Sequence, residues 1–319
     1  MSVTAVRRPD VTGATKLTTT VAKEHVHRAA LAEVFLTGVL PNGQDRFTVT
    51  AQWPRGHSFF VTEHGRHDPL LLAETVRQTV PLLLHSEYGV PYGHQFGWVS
   101  FQLRMRPDVM RITSAPAELE LHVTCRDVRR RGGLPVAMTQ RTDVWRGQEF
   151  LGWAETRFWC HSPSLYRRLR GRFADRDAVF AAVPEPPPPV SGELVGRDRV
   201  QDVVLCPGDV PDRWRLRVDT AHPTLFDHPL DHVPGMLSLE AVRQAAVAAR
   251  ADEPAAFLSG LDISFDRYIE FEAPCWLDVR RVPASGVDAA DGTAVEVRAV
   301  QSGQSAFLAT AFFQGLGSV

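Results

Sequence analysis

The sequence contains almost no lysine and no excess of either charge. Of its 35 basic residues only Lys16 and Lys23 are lysines, and 37 acidic residues leave a formal net charge of −2. Proteins that bind nucleic acid through its phosphates carry a clear basic excess, so this balance argues against that class. GC-rich codons favour arginine over lysine, and the informative question is therefore where the arginines cluster.

Paired cysteines, long apolar runs and a leader pattern are also missing. No apolar run approaches the ~18 residues of a membrane helix, and Met1–Arg8 has no apolar core followed by a small-residue cleavage site. We therefore expect a cytoplasmic protein with no membrane partner. Four widely separated cysteines without a Cys-x-x-Cys pair predict reduced core thiols rather than a metal or disulfide site: Cys125, Cys160, Cys206 and Cys275.

Length and composition predict two domains joined by a linker. A chain of 319 residues with 44% hydrophobic residues can form two packed cores. The proline-rich run 184–189 cannot continue a helix or a central strand. We expect a loose N-terminal arm at 1–22, a first domain at 23–163, an irregular Arg/Pro-rich linker at 164–190 and a second domain at 191–319.

The two predicted domains repeat one another. Two stretches match in the same order along both halves, Gly97–Phe101 with Leu261–Phe265 and Gly147–Ala154 with Gly303–Thr310. Three matches in one order indicate a tandem duplication. The third is a Glu-x-x-Arg-Gln motif, repeated at an offset of 166 positions: Glu74, Arg77 and Gln78, then Glu240, Arg243 and Gln244.

Each half combines one long apolar helix with alternating strands. The helices are expected to begin at Asp68-Pro69 and Pro234-Gly235, where proline fits a first turn, and Pro81 to end or kink the first. A helix wrapped by an antiparallel sheet is the hot-dog arrangement, so we predict an α+β tandem double hot-dog that forms an intrachain pseudo-dimer. Alternation predicts eight strands: 98–105, 118–125, 137–145, 149–159, 263–271, 275–282, 294–300 and 305–313.

The repeated Glu-x-x-Arg pair has a simple alternative interpretation, a surface ion pair with a small effect on stability. The residues around Glu240 are apolar at most positions, however, which predicts a buried helix. Buried charges require a partner or a function, and the duplication strengthens the functional interpretation.

The stretch before the second helix resembles the active-site segment of hot-dog hydroxyacyl-ACP dehydratases. There, a His-Phe-Pro stretch leads into Pro-Gly-x-Leu-x-x-Glu-Ala-x-x-Gln. Here His228 lies two residues closer to the Pro-Gly, and this departure weighs against dehydration. Four other histidines are alternatives to His228: His57, His64, His67 and His222. Six positions match the pattern: Pro234, Gly235, Leu237, Glu240, Ala241 and Gln244.

A second resemblance covers nearly the whole chain. Residues Glu24–Gly38, Asp68–Gln78 and Phe226–Met236 resemble the A-factor biosynthesis (AfsA) family, double hot-dog enzymes of filamentous bacteria that make γ-butyrolactone, butenolide or furan signals. The resemblance implies transfer of a β-ketoacyl group from acyl carrier protein to the hydroxyl of dihydroxyacetone phosphate. It also implies that the carrier's phosphopantetheine delivers the acyl group, with no other cofactor.

Residues and resemblance together predict a catalytic set. Glu240 is the expected base, because it follows the Pro-Gly element, with Arg243 or Arg77 clamping the phosphate. In hot-dog dimers the acid and the histidine commonly come from opposite subunits. Two catalytic pairs are therefore open, Glu240 with a first-half histidine and Glu74 with His228. The expected substrate-binding residues include N–H donors for the thioester oxygen at the helix start: Gly235, Met236, Gln244, Gln78 and His232.

An arginine-rich stretch in the predicted linker suggests a docking surface for the acidic carrier protein, or only a solvated basic linker. It comprises Arg167, Arg168, Arg170 and Arg172, with Arg176 following. Arginines 129–131 before Gly132-Gly133 predict an exposed hairpin turn instead.

Two other functions stay open. A hot-dog dehydratase or thioesterase would have no phosphate for the repeated arginine to bind. A non-catalytic acyl-binding module would have retained the fold and lost the catalytic activity. Either a monomeric pseudo-dimer or a homodimer is expected.

Overall fold

A computed structural model describes residues 18–61, 64–253, 256–283 and 293–315. Most of the predicted N-terminal arm, residues 1–17, lies outside the described residues. The end of the arm is attached to the fold, because the Val21 N–H donates to the Leu36 carbonyl at 2.9 Å.

The N-terminal half contains six strands around one long helix. Helix α1 spans Pro69–Ser86, with Pro69 in its first turn as predicted. The strands are β1 (Leu36–Pro41), β2 (Arg46–Trp53), β3 (Gln95–Met105), β4 (Ala117–Arg131), β5 (Leu134–Arg146) and β6 (Glu149–His161).

The connecting segment begins with helices rather than the irregular chain expected from 164 onward. Ser162 accepts a hydrogen bond from the Leu165 N–H and Pro163 occupies the first turn, a common helix start. The short helices are α2 (Pro163–Arg170), α3 (Arg176–Ala181) and α4 (Gly192–Val195).

The C-terminal half repeats the six strands and the long helix. Helix α5 spans Gly235–Ala249. The strands are β7 (Leu205–Pro207), β8 (Arg213–Leu216), β9 (Ala256–Phe265), β10 (Cys275–Pro283), β11 (Thr293–Gln301) and β12 (Gln304–Gly315).

The two halves join through their sheets. The strand order is β1-β2-β4-β5-β6-β3-β9-β12-β11-β10-β8-β7, and antiparallel pairing of β3 with β9 from Ser100–Ser264 to Arg104–Gly260 makes one twelve-stranded sheet. This is the predicted tandem double hot-dog, with the two expected sheets merged edge to edge. Helices α1 and α5 pack against one another within it.

Both central helices are buried almost all round, as their apolar sequences predicted. Pro81 does not end α1, which continues to Ser86. The predicted hairpin turn is confirmed at Gly132-Gly133 between β4 and β5. All four cysteines are buried free thiols, and no described helix is long and apolar enough to cross a bilayer.

One predicted strand, 263–271, is too long. β9 ends at Phe265, because the N–H groups of Asp266 and Arg267 both turn to the Ala306 carbonyl. The chain then leaves the sheet, and the Ile269 carbonyl accepts the Val233 N–H at 3.0 Å. The residues after β9 therefore lie beside the segment that leads into α5.

Candidate active site

Each central helix carries one buried carboxylate held by two arginines and a glutamine. In α1, Glu74 has no exposed surface; it accepts from Arg28 at 2.5 Å, from Arg77 at 2.7 Å and from Gln78 at 2.7 Å. The predicted Glu-x-x-Arg-Gln motif is thus one hydrogen-bonded unit. Arg28, which comes from the loop before β1, completes it.

Helix α5 carries the equivalent unit. Glu240 is also fully buried; it accepts from Arg197 at 2.8 Å, from Arg243 at 2.8 Å and from Gln244 at 2.5 Å. Arg197 has the place that Arg28 has in the first half. The sequence interpretation missed both loop arginines, although a repeated Val-x-Arg at Val26–Arg28 and Val195–Arg197 marks them.

The two loop arginines also connect the halves. Arg28 donates to the Thr224 carbonyl of the second half at 3.2 Å, and Arg197 donates to the Phe59 carbonyl of the first at 2.9 Å. Each carboxylate therefore holds an arginine that crosses the interface between the repeats.

Both glutamates are ionised. Burial alone raises the pKa of the Glu74 carboxyl, but Arg28 and Arg77 outweigh it and lower this pKa to about 2. For Glu240, Arg197 and Arg243 likewise outweigh burial and hold the pKa well below the ordinary glutamate value.

The motif glutamines brace the backbone, not a substrate. The Gln78 amide accepts from the Phe35 N–H at 3.0 Å and donates to the Glu33 carbonyl at 2.7 Å. Gln244 makes the matching bonds in the second half, to Val204 and Asp202. Both side chains are fully buried and neither lines the main cavity, so their predicted place in substrate binding is wrong.

A cavity of about 650 Å³ opens between the halves, at the N-terminus of α5. Gly235 and Met236 line it where the helix begins, and Arg77 lines it from α1. Aromatic rings provide apolar walls, among them Trp98 and Phe158. The polar part of the lining includes Arg28 and four histidines: His27, His94, His228 and His232.

The N-terminus of α5 has no side-chain cap among the described residues. Pro234 is the N-cap residue and has no side chain that can accept a hydrogen bond. The first N–H groups of a helix have no partner within the helix and give this end a partial positive charge. Gly235 and Met236, at this end of the helix, line the cavity.

The absence of a side chain at Gly235 also allows a close packing contact. A Cβ at this position would lie 2.7 Å from Trp98 Cε3, so the indole, and not an acyl chain, occupies the space that glycine leaves. Glycine lets Trp98 pack directly against the helix start and form the cavity wall.

The N-terminus of α1 is closed by an acidic side chain. Asp68 accepts from the Leu70 N–H at 2.7 Å, and its second oxygen lies 3.4 Å from Arg197 Nη1. Asp68 is buried and caps this helix start, whereas α5 has no side-chain cap among the described residues. The two helix starts are therefore chemically different, although the glutamate units behind them are equivalent.

Two of the rival histidines are structural. His57 Nδ1 accepts from the Phe59 and Phe60 N–H groups, and His222 Nδ1 accepts from the N–H groups of Thr224 and Leu225. Each ring turns Nε2 toward a carboxylate, that of Glu33 at 3.3 Å or that of Asp202 at 3.1 Å. The other two also lie outside the main cavity: His67 packs on the Trp53 indole, and His64 lines a separate cavity.

His27 is the cavity histidine that the sequence interpretation left without a role. Its Nε2 lies 2.8 Å from His85 Nε2, and its ring stacks on Phe96. Burial, His85 and Arg77 lower the pKa of His27 to about 3, so the ring is neutral in the physiological range.

The structure separates the predicted catalytic residues into two groups. Arg77 and His228 line the cavity, with the predicted binding residues Gly235, Met236 and His232. Glu240 and Arg243 do not, and the Arg243 side chain is 5% exposed against 21% for Arg77. Glu74 lies directly behind Arg28 and Arg77, which screen it from the cavity.

The predicted docking arginines also divide. Arg170 is buried and pairs with Asp231 at 2.9 Å and Glu270 at 2.7 Å, so its assignment to a docking surface is wrong. Arg172 pairs with Glu272 at the surface. Arg167 and Arg168 are exposed on α2, as a docking surface requires.

Comparison with known proteins identifies the family. The model of the A-factor biosynthesis hotdog domain, AfsA, matches residues 10–162 and 181–315. A 2-oxo-3-(phosphooxy)propyl 3-oxoalkanoate synthase of Streptomyces virginiae is 45% identical over 271 residues, covering 84% of this chain and 90% of the relative. Its namesake in Streptomyces coelicolor is 44% identical over 291 residues, covering 89% and 88%.

A solved structure supports the fold independently. A protein from Lactobacillus plantarum described as an oleoyl thioesterase superposes with a TM-score of 0.52 at 11% identity, over 86% of this chain and 97% of the other. At that identity the likeness concerns the fold alone. Fold, repeat and family match agree, and the chain belongs to the AfsA family of A-factor biosynthesis hot-dog proteins.

Proposed function

We propose that the protein is an acyltransferase that moves a β-ketoacyl group from acyl carrier protein to the hydroxyl of dihydroxyacetone phosphate. The observation that carries the proposal is the meeting, in one cavity, of the open N-terminus of α5 with Arg77 and Arg28. Relatives named for the corresponding phosphooxypropyl ester support the same substrates.

The acceptor phosphate binds at Arg77. A guanidinium forms two parallel hydrogen bonds to phosphate oxygens, and an arginine already held by a carboxylate loses less conformational freedom on binding. Glu74 fixes Arg77 through Nε and Nη2, and the side chain remains 21% exposed toward the cavity. Arg28 adds positive charge but is itself attracted by Glu74 and Asp227.

The thioester carbonyl binds at the start of α5. Attack of the acceptor oxygen puts negative charge on the carbonyl oxygen, and N–H donors held in place by a helix stabilise that charge without rearranging. Gly235 and Met236 supply these donors. Val80, Pro81 and Phe158 provide apolar surface in the same cavity for the acyl chain.

The base is a cavity histidine rather than Glu240. A base must reach the hydroxyl proton within hydrogen-bond distance in the bound complex. Glu240 is fully buried, outside the cavity lining, and fully engaged by two arginines and Gln244. Its lowered pKa also makes it a weak base.

The carrier protein approaches over α2. Arg167 and Arg168 are exposed there, and two further exposed arginines, Arg176 and Arg267, line the cavity itself. An acidic carrier is attracted by such a surface, and the attraction weakens as salt increases.

One mass-spectrometric assay tests the function. The protein is incubated with β-ketoacyl carrier protein, with and without dihydroxyacetone phosphate. We expect loss of the acyl group from the carrier, with formation of the phosphorylated ester, only when the acceptor is present. Acyl loss without acceptor would instead indicate a thioesterase, and an unchanged carrier would indicate a binding module. In a parallel incubation with hydroxyacyl carrier protein, loss of water would indicate a dehydratase.

A further inference from the structure

We propose that His232 is the general base of this transfer, and that Asp231, Tyr166 and Arg170 are positioning residues that hold it in the base-competent tautomer. The inference rests on the proposed function and deepens it. The sequence interpretation placed His232 among the binding residues and Arg170 on a docking surface.

His232 forms a short hydrogen bond to the carboxylate beside it. Its Nδ1 lies 2.6 Å from Asp231 Oδ1, and its ring packs edge-on against Tyr268 at 4.6 Å. The side chain is 25% exposed and lines the cavity two residues before the Pro234-Gly235 start of α5. The ring and the proposed oxyanion donors at Gly235 and Met236 thus line the same cavity.

Asp231 is itself held from behind by a buried network. The Tyr166 hydroxyl donates to its carboxylate at 2.7 Å, and Arg170 Nε donates at 2.9 Å. Arg170 is fixed by Glu270 through two bonds at 2.7 and 2.9 Å, and its guanidinium lies over the Tyr268 ring. The network spans α2, the segment before α5 and the segment after β9, so the His232 ring is held by three parts of the chain.

The network determines which ring nitrogen carries the proton. Asp231 is ionised, because His232, Tyr166 and Arg170 outweigh its burial and lower its pKa. A carboxylate only accepts, so His232 Nδ1 must donate. A neutral ring then has its lone pair on Nε2, and no group in the described residues hydrogen-bonds to Nε2. This is the arrangement of the histidine and aspartate in a serine hydrolase triad.

The neighbouring pair Asp227–His228 is built differently. Both Asp227 oxygens are engaged by backbone, accepting from Ala29 N–H at 2.5 Å and Ala30 N–H at 3.0 Å. His228 Nδ1 lies 3.3 Å from Asp227, and the side chain is 35% exposed. Asp227 thus fastens the loop that carries Arg28 and holds its histidine more weakly.

His27 is unsuited for another reason. Its pKa, lowered to about 3 by burial, His85 and Arg77, makes it a poor proton acceptor. His94, the fourth cavity histidine, has its Nδ1 3.0 Å from the Pro91 carbonyl rather than from a carboxylate. Of the four cavity histidines, His232 alone combines a fixed tautomer with an ionised and fully supported carboxylate.

The proton transfers balance without any further reactant. As the acceptor hydroxyl oxygen bonds to the thioester carbon, its proton passes to His232 Nε2, and the carbonyl electrons move to the oxygen at α5. The tetrahedral intermediate collapses, the C–S bond breaks, and the imidazolium returns the proton to the departing thiolate. Asp231 remains ionised throughout.

A pair of matched variants tests the assignment. We expect His232→Gln to lower kcat by roughly 10²–10⁴-fold with little change in KM for either substrate, because a general base acts in the transition state. His122→Gln, at an exposed histidine–glutamate pair on β4 outside the cavity, is the control, and we expect it to keep kcat within about threefold. If His232→Gln keeps more than a tenth of wild-type kcat, the assignment is wrong.

The tautomer can be measured without turnover. In ¹⁵N-labelled protein, long-range ¹H–¹⁵N correlation spectra should show His232 protonated at Nδ1, and Asp231→Asn should shift the proton to Nε2 while lowering kcat. A wild-type ring protonated at Nε2 would overturn the proposal. Wild-type protein that transfers no acyl group would refute the proposed function instead, and the spectrum would still decide whether His232 is held as a base.

Discussion

The starts of the two central helices differ, although the helices are equivalent in the repeat. Behind both starts lies the same unit of a buried glutamate, two arginines and a glutamine. At α5 Gly235 and Met236 line a cavity, whereas at α1 the Asp68 side chain accepts from the Leu70 N–H. Before the loop arginine, His27 in the first half is replaced by Gly196 in the second.

The two copies share the glutamate unit and differ at the helix start, and these two features have different roles. The glutamate units tie the halves together through Arg28 and Arg197, and that requirement applies equally to both copies. The proposed reaction requires an uncapped helix start and an exposed arginine in one cavity. Within the described residues, the start of α5 and Arg77 meet this requirement. A motif repeated in both halves therefore indicates shared structure, and the departures from the repeat indicate the active site.

The largest expected effect is on the free energy of unfolding, when the glutamate unit of α5, which has a structural role, loses its carboxylate. Glu240→Gln removes the carboxylate that two buried arginines share, and breaking a buried ion pair costs about 3–5 kcal/mol of unfolding free energy. Urea denaturation followed by circular dichroism measures the change. Glu253→Gln, at an ion pair with Arg250 nearer the surface, should cost less than about 1 kcal/mol, and equal losses would contradict a buried structural role for Glu240.

Low pH should reduce the stability that both buried glutamate units provide. The pKa of Glu74 is about 2 in the folded protein, below its ordinary 4.5, so the unfolded chain takes up the proton first as pH falls. The stabilisation is complete above pH 4.5 and is lost progressively down to about 2. Melting temperatures measured across this range should fall steeply, and the Glu74→Gln variant should show a shallower dependence. Parallel curves for the two proteins would contradict the assignment.

Gly235→Ala tests the packing at the open helix start. The new Cβ would lie 2.7 Å from Trp98, so the ring or the helix must shift, at about 1–3 kcal/mol. We expect a lower transfer rate as the cavity wall moves, measured by the mass-spectrometric assay. Adding Trp98→Phe removes part of the clash and should recover some of the rate; no recovery would mean that the glycine serves something other than this contact.

Asp68→Ala tests the closed helix start. Loss of a capping side chain costs about 1 kcal/mol of unfolding free energy, while transfer activity should stay within about twofold because the α1 start takes no part in the reaction. Asp68→Asn, which can still cap the helix, is the control. A large loss of kcat in the alanine variant at full folding would show that the α1 start contributes to turnover.

Local patterns predicted most of the fold. Repeated apolar periodicity located both central helices and the strands that follow them, because those elements are long and regular. Four strands were not predicted: β1, β2, β7 and β8. Gly38 and Pro41 interrupt the alternation in β1, and β7 and β8 are only three and four residues long. Helix α2 was predictable in principle from Ser162-Pro163, but the arginines and prolines that follow suggested an irregular linker.

The site was predicted less completely, because its geometry depends on contacts distant in sequence. The Glu-x-x-Arg-Gln motif, the Pro-Gly helix start and Arg77 were all visible in the sequence. Nothing local shows that Arg170 meets Asp231 and Glu270, 61 and 100 residues away, or that Glu240 lies outside the cavity. Because the two motifs have the same pattern, the sequence does not distinguish Arg77, which lines the cavity, from Arg243, which does not.

The comparison of Arg77→Ala with Arg243→Ala tests the central claim most directly. Steady-state rates are measured with saturating β-ketoacyl carrier protein and varied dihydroxyacetone phosphate. Losing a charged hydrogen-bond partner of the phosphate costs about 2–3 kcal/mol, so Arg77→Ala should lower kcat/KM for the acceptor by roughly 30–150-fold. Arg243→Ala should destabilise the fold but leave kcat/KM of the folded protein within about threefold. Equal losses in the two variants, or a larger loss for Arg243, would contradict a single active site at α5.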